Sequence, residues 1–165
     1  MTRIASFALA ALAVAALAFA HPHFNKTVST TIGEVEVSVS YNSTDANMER
    51  VAAVEAGTFV SPRGPRLNIS GDVMAGDMTI SAGEYTIGVI KGDDGSWTMA
   101  LHEGRIPRGE MPDMGKVMKL DSRYSDQMGT ADHMLIDITA GSGDFAGKPV
   151  LTIHFGNMHL QAAIG

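Results

Sequence analysis

Histidines near the two ends of the 165-residue chain are the side chains best suited to metal chemistry. His21 and His23 flank Pro22, and His154 and His159 lie close to the C-terminus. Imidazole suits zinc, copper, iron and nickel, and a nitrogen-rich site has its highest intrinsic affinity for Cu(II). Whether these four histidines act together depends on the elements that position them.

The C-terminal histidines are predicted to face each other across a β-hairpin. Apolar and polar residues alternate on both sides of Gly156-Asn157, which reads as a favoured two-residue turn. In that register His154 lies opposite His159, with Cβ atoms ~5 Å apart, on the face turned away from the core. The pair would form half of a metal site, or else two surface histidines without a ligand.

Residues 1–20 are typical of a signal peptide. Arg3 precedes an apolar run, and Ala18 and Ala20 fit the A-x-A cleavage pattern. We therefore predict a single mature domain over residues 21–165, a periplasmic or secreted location, and no stable membrane insertion after cleavage. The alternative is an uncleaved anchor, although the run is short for a membrane span of ~20 residues.

Cleavage after Ala20 would give His21 a free α-amine beside its imidazole. Such an amine titrates near ~8, so a metal can displace its proton at neutral pH. Pro22 has no N–H to lose, which blocks the copper-binding mode that uses deprotonated backbone amides. His21 and His23 would then be separate ligands. This terminus alone is similar to the N-terminal histidine of periplasmic copper-binding β-sandwich proteins and of copper monooxygenases. The alternative is a terminus that begins with histidine and binds nothing.

Short alternating segments, separated by glycine, proline, asparagine and aspartate, predict eight or so strands. In one of them Trp97, Met99 and Leu101 are predicted to face the core, with Ala100 and His102 on the opposite side. This pattern predicts an all-β fold, a single-domain antiparallel β-sandwich or barrel with at most one short helix.

Three segments bear on the details of that fold. Residues 46–56 predict the helix, with Asp45 as its N-terminal cap. Residues 67–73 predict one strand. Residues 103–115 contain two prolines and three glycines, which predicts a long surface loop.

Composition narrows the possible functions. The chain has no cysteine, so neither disulfides nor thiol chemistry are available. Its net charge of -6 becomes -7 after loss of Arg3 with the signal, which argues against nucleic acid as a partner. Metalloprotease, serine-hydrolase and phosphate-loop motifs are missing. We therefore expect binding rather than turnover.

Weaker candidates lie between the two ends. His102 and His133 fall at strand ends, where solvated histidines are expected. Residues 61–66 contain two arginines, which predicts an anion-binding patch or a solvated connection. Soft thioether ligands suit Cu(I), although methionine is also an ordinary core filler. A Cu(I) site built from methionine sulfurs is therefore a second metal hypothesis. Its candidate ligands are Met111, Met114, Met118, Met128 and Met134.

Two segments resemble a known bacterial family. Residues 79–90 (TISAGEYTIGVI) are followed by Trp97-Thr98, and residues 151–158 read LTIHFGNM. Both resemble the secreted family catalogued as domain of unknown function 2911, with its P-A-G-x-Y turn, W-T strand and W-G-N ending. Here Ser81 replaces the usual proline and Phe155 the usual tryptophan. The resemblance covers roughly Leu67 to the C-terminus and implies an exported β-rich domain, but no reaction.

These observations together predict an exported metal-binding β-sandwich, with copper as the expected metal and His21, His23, His154 and His159 as its ligands. The alternative is a metal-free binding or structural module of the cell envelope that docks a partner of unknown identity. A third hypothesis, an oxidative copper enzyme acting on polysaccharide, is weakened by the shortage of aromatic residues.

Overall fold

The computed structural model describes residues 24–165. The chain folds into two main antiparallel β-sheets with a core between them. The predicted signal peptide, His21 and His23 lie outside the described residues. The strands are β1 (Asn25–Ile32), β2 (Val35–Asn42), β3 (Phe59–Val60), β4 (Arg66–Ile69), β5 (Val73–Ala75), β6 (Met78–Ile80), β7 (Gly83–Lys91), β8 (Trp97–Glu103), β9 (Val117–Lys119), β10 (Ser122–Ser125), β11 (Ala131–Ala140), β12 (Pro149–Gly156) and β13 (Met158–Ala163).

The larger sheet has the order β1-β2-β4-β7-β8-β9, with β3 also paired to β7. The smaller sheet has the order β10-β13-β12-β11, and β5 and β6 form a separate hairpin. No closed barrel forms over residues 24–165. The predicted all-β fold is therefore confirmed as a sandwich, and the barrel alternative is dropped.

The core follows from the alternation of apolar residues along the strands. Trp97, Met99 and Leu101 of β8 are buried, as predicted, and pack in one cluster with Leu151 and Leu160 of the smaller sheet. Full burial of a leucine side chain stabilises the fold by about 1.5–3 kcal/mol. This packing is what holds a chain without cysteines together.

The outer face of β8 is also covered, contrary to prediction. Ala100 is buried in a second, smaller cluster with Phe59 and Ile90, and Ile106 of the long loop packs against it. His102 is also buried, with its ring beside that of Phe59. The alternating pattern identified the two faces of β8 but could not show that the loop folds over the outer one.

Two predicted elements are shorter in the structure. The helix is α1 (Met48–Ala52), and its cap is Asn47, whose side chain accepts a hydrogen bond from the Arg50 amide. The predicted cap, Asp45, instead pairs with His133. The predicted strand 67–73 breaks into β4 and β5 because Asp72 turns to accept a hydrogen bond from the Ala82 amide.

Helix α1 is fastened to both sheets at one end of the sandwich. The Lys91 ammonium of β7 donates to the carbonyls of Ala52 and Val54, at 3.0 and 2.9 Å. Met48 packs against Gly156 at the turn between β12 and β13, where a Cβ atom would overlap its sulfur. The helix therefore spans the gap between the sheets.

Candidate functional site

The C-terminal hairpin brings two histidines face to face. His154 of β12 pairs with His159 of β13, which confirms the predicted register. Gly156 occupies the first turn position with φ +60°, a conformation that glycine adopts without strain and that matches the twist of the strands. The two imidazole rings lie edge to face, with centroids 5.3 Å apart and an interplanar angle of 86°.

The pair lies on the outer face of the smaller sheet. Across the sheet, Ser125 of β10 is opposite His159, and Leu135 of β11 is opposite His154. Both histidines are half-buried. The His154 Nε2 atom lies 3.4 Å from the Gly129 carbonyl oxygen, in the loop that connects β10 to β11. In the tautomer that donates to this oxygen, Nδ1 keeps its lone pair for a ligand.

The surroundings of His159 favour its neutral form. Burial lowers the pKa of His159 below its usual value, and the nearby His154 lowers this pKa further. A neutral imidazole is the form that binds a metal ion, so less proton displacement is needed at His159 near neutral pH.

The spacing of the two rings fits a shared metal ion. Two imidazoles that bind one ion at about 2.0 Å with near-tetrahedral geometry have ring centroids about 5 Å apart. The described residues 24–165 contain no group of three or more histidine, cysteine or acidic side chains placed to hold a metal. A metal ion at this pair would therefore have two histidine ligands from the described residues, and its other ligands would come from elsewhere in the chain or from solvent.

The described chain begins beside the sheet that bears this pair. The Phe24 carbonyl accepts a hydrogen bond from the Ser43 amide, and the Ser43 hydroxyl donates to the Met134 carbonyl of β11. The next residue of β11, Leu135, is opposite His154. His21 precedes Phe24 by three residues, and three residues of backbone span at most ~10 Å.

The remaining histidines are in different settings. The His133 Nε2 atom lies 3.0 Å from a carboxylate oxygen of Asp45, and both side chains are partly exposed. His102, which the sequence pattern predicted to be solvated, is only 4 % exposed. Its ring centroid is 6.3 Å from that of Phe59, and its Nδ1 atom has no hydrogen-bond partner among residues 24–165.

The methionines of the Cu(I) hypothesis divide into two groups. Met134 is buried in the core and Met118 packs against it, so these two act as apolar fillers. Met111, Met114 and Met128 are exposed, Met111 by 91 % of its surface. The structure does not gather the five sulfurs into one site.

A cavity of about 460 Å³ between the sheets was not predicted from the sequence. Its walls include Trp97, Ile153 and Phe155, which the alternating pattern assigned to a filled core. The one signal that bears on it is the arginine-containing segment 61–66, because Arg63 lines the cavity. Alternation shows which side chains face inward, but not whether they fill the space between two sheets.

Comparison with protein-family models, with curated proteins and with solved structures found no match for this chain. The resemblance to domain of unknown function 2911 stays a prediction. Over residues 24–165, no helix has the length and apolar character needed to cross a membrane.

Proposed function

We propose that this chain is an exported copper-binding β-sandwich protein that binds or handles the ion rather than using it for turnover. The observation that best supports this function is the pair His154 and His159, with ring centroids 5.3 Å apart on an outer sheet face. A copper ion bound there would be held by imidazole nitrogens, a ligand type with high intrinsic affinity for Cu(II).

The two further ligands in this proposal are His21 and His23. Export would free the amine of His21, and Pro22 would keep the two histidines as separate ligands. The hydrogen bond between Phe24 and Ser43 supports this arrangement, because it places the start of the described chain beside β11, next to β12. The proposal includes a periplasmic or secreted location and removal of the signal peptide during export.

Titration calorimetry with Cu(II) tests this function. The chain is expressed with its native signal, so that His21 begins the mature protein, and is compared with a form that has one extra N-terminal alanine. We expect one ion per chain and affinity lowered by roughly tenfold or more in the extended form. Equal affinity in the two forms would show that the N-terminus is not a ligand.

Substitutions separate the two halves of the proposed site. We expect the double variant His154→Gln/His159→Gln to weaken binding by roughly tenfold or more. The matched control is His133→Gln, which removes a histidine outside the proposed ligand set. Electron paramagnetic resonance should show fewer nitrogen ligands in the double variant, and unchanged spectra would contradict a role for the hairpin.

The alternative function is a metal-free binding module of the cell envelope. The observation that favours it is the loop between β8 and β9, where Met111 is 91 % exposed. An exposed apolar side chain on a long loop is typical of a surface that contacts a partner. Absence of Cu(II) binding by both N-terminal forms would favour this alternative.

A further inference from the structure

The cavity between the sheets has an apolar floor. Its volume of about 460 Å³ lies in the range of small-molecule sites, roughly 300–1,000 Å³. The larger sheet supplies three of its buried side chains and the smaller sheet another three: Ile87, Val89, Trp97, Ile136, Ile153 and Phe155. A surface of this kind favours an apolar ligand, because burial removes apolar area of both partners from water.

The mouth of the cavity is cationic. Arg50 of α1 and Arg63 of the following loop both line the cavity and are exposed. Neither guanidinium takes part in an ion pair within residues 24–165. Asp45 also lines the cavity, but its carboxylate is paired with His133. The positive charge at the mouth therefore has no nearby protein anion bound to it in the described part of the chain.

Arg63 also borders a second, polar cleft of about 240 Å³. Lys26 and Arg66 line this cleft with it, and no aspartate or glutamate does. Arg63 has φ +61° and is the one non-glycine residue with positive φ between residues 24 and 165. Side chains other than glycine are strained there. The strained backbone thus holds a guanidinium where the apolar cavity meets the cationic cleft.

We propose that this cavity binds a small molecule with an apolar body and one carboxylate, of the medium-chain fatty-acid class. The body would lie on the floor of the cavity, and the carboxylate would meet Arg50 and Arg63, whose guanidinium groups match carboxylate geometry. A neutral apolar ligand would leave both cations without a partner. A small inorganic anion would leave the apolar floor uncovered.

This site is separate from the proposed copper site. Ile153 and Phe155 of β12 point into the cavity, whereas His154 between them points to the opposite face of the sheet. The two proposals can therefore fail independently, and copper affinity serves as a control for every cavity variant.

Trp97 provides the readout because it lines the cavity and is the single tryptophan of the chain. The mature protein is titrated with decanoate below its micelle concentration, with 1-decanol and with acetate. We expect decanoate to change Trp97 fluorescence with saturation, decanol to bind roughly tenfold more weakly, and acetate not to compete. No saturable change with decanoate would overturn the proposal, and equal affinity for decanol would overturn the role of the carboxylate.

Substitutions at the mouth and the floor complete the test. Arg50→Gln and Arg63→Asn should each weaken decanoate binding by roughly tenfold and leave decanol unaffected. Asparagine is chosen at position 63 because it tolerates positive φ. Arg108→Gln, on the exposed loop, is the matched control. Val89→Phe should block both ligands by filling the cavity. If that variant does not fold, the arginine variants still decide: unchanged decanoate affinity in both would overturn the proposed site.

Discussion

The imidazole rings of His154 and His159 meet edge to face across the β12–β13 hairpin, with centroids 5.3 Å apart. Because a protonated His154 ring at this distance repels a proton on His159, it lowers the pKa of His159. A metal ion would compete with these protons for the same nitrogens. Proton binding at this pair and metal binding in the proposed site are therefore linked.

Replacement of His154 by glutamine should raise the pKa of His159. The nearby His154 is the smaller cause of the lowered pKa and burial is the larger. We therefore expect only a partial return towards the usual value. Titration of the His159 ring proton by NMR measures the change, with His133→Gln as the control. An unchanged pKa in the His154 variant would contradict the electrostatic coupling.

The stability of the fold should fall in mild acid because of His159. A histidine with a lowered folded-state pKa binds fewer protons in the folded than in the unfolded chain. Its contribution is therefore neutral above the unfolded pKa of ~6.5, becomes destabilising as the pH falls below that value, and reaches its full size below the folded pKa. Urea unfolding at pH 7.5, 6 and 5 should show the wild type losing stability relative to His159→Gln. A constant difference across these three pH values would contradict this assignment.

Substitution of the buried His102 by leucine should not destabilise the fold. The His102 Nδ1 atom is buried without a hydrogen-bond partner among residues 24–165, and its ring lies beside the apolar ring of Phe59. Removing such an atom is expected to leave the free energy of unfolding unchanged or to raise it by about 1 kcal/mol. As a control, Leu101→Ala on the core face should cost about 2–5 kcal/mol. Loss of stability in His102→Leu would indicate an unrecognised polar partner.

The fold was predictable because its strands have clear local signals. Val37 and Val39 alternate with polar residues, and Gly156-Asn157 fixes the hairpin register by turn geometry alone. The helix was overestimated because Ala53, Glu55 and Ala56 are good helix formers, whereas the chain must leave α1 to reach β3. Local propensity does not include that tertiary requirement.

The candidate sites were less predictable, because they depend on contacts distant in sequence. The register that pairs His154 with His159 is local, so the sequence contained it. The cover over Ala100 depends on a loop that folds back onto its own sheet, and the cavity depends on the separation of two sheets. Neither the path of that loop nor the distance between the sheets is encoded in the periodicity of a single strand.

Loss of the Lys91 ammonium should loosen α1. This ammonium donates to the carbonyl of Ala52 at the end of the helix and to that of Val54 just beyond it. Lys91→Met keeps the length of the side chain and removes both hydrogen bonds, so amide exchange at Val51 and Ala53 should accelerate by roughly tenfold. The amides of β12 provide the control, since exchange there reports unfolding of the core. Unchanged exchange in α1 would show that other contacts hold the helix.

Substitution at Gly156 should disturb the hairpin and the helix together. Its φ of +60° disfavours any L side chain, and a Cβ atom there would overlap the sulfur of Met48. We expect Gly156→Ala to lower the free energy of unfolding by about 1–2 kcal/mol from backbone strain alone, with a further loss from the overlap. Met48→Ala in the same chain should recover the stability lost through the overlap and leave the loss from backbone strain unchanged. A double-mutant cycle measures this coupling, and NMR of His154 and His159 reports whether the pair has moved. Additive effects in the cycle would mean that α1 does not press on the turn, and that the histidine pair is held by the two strands without help from the helix.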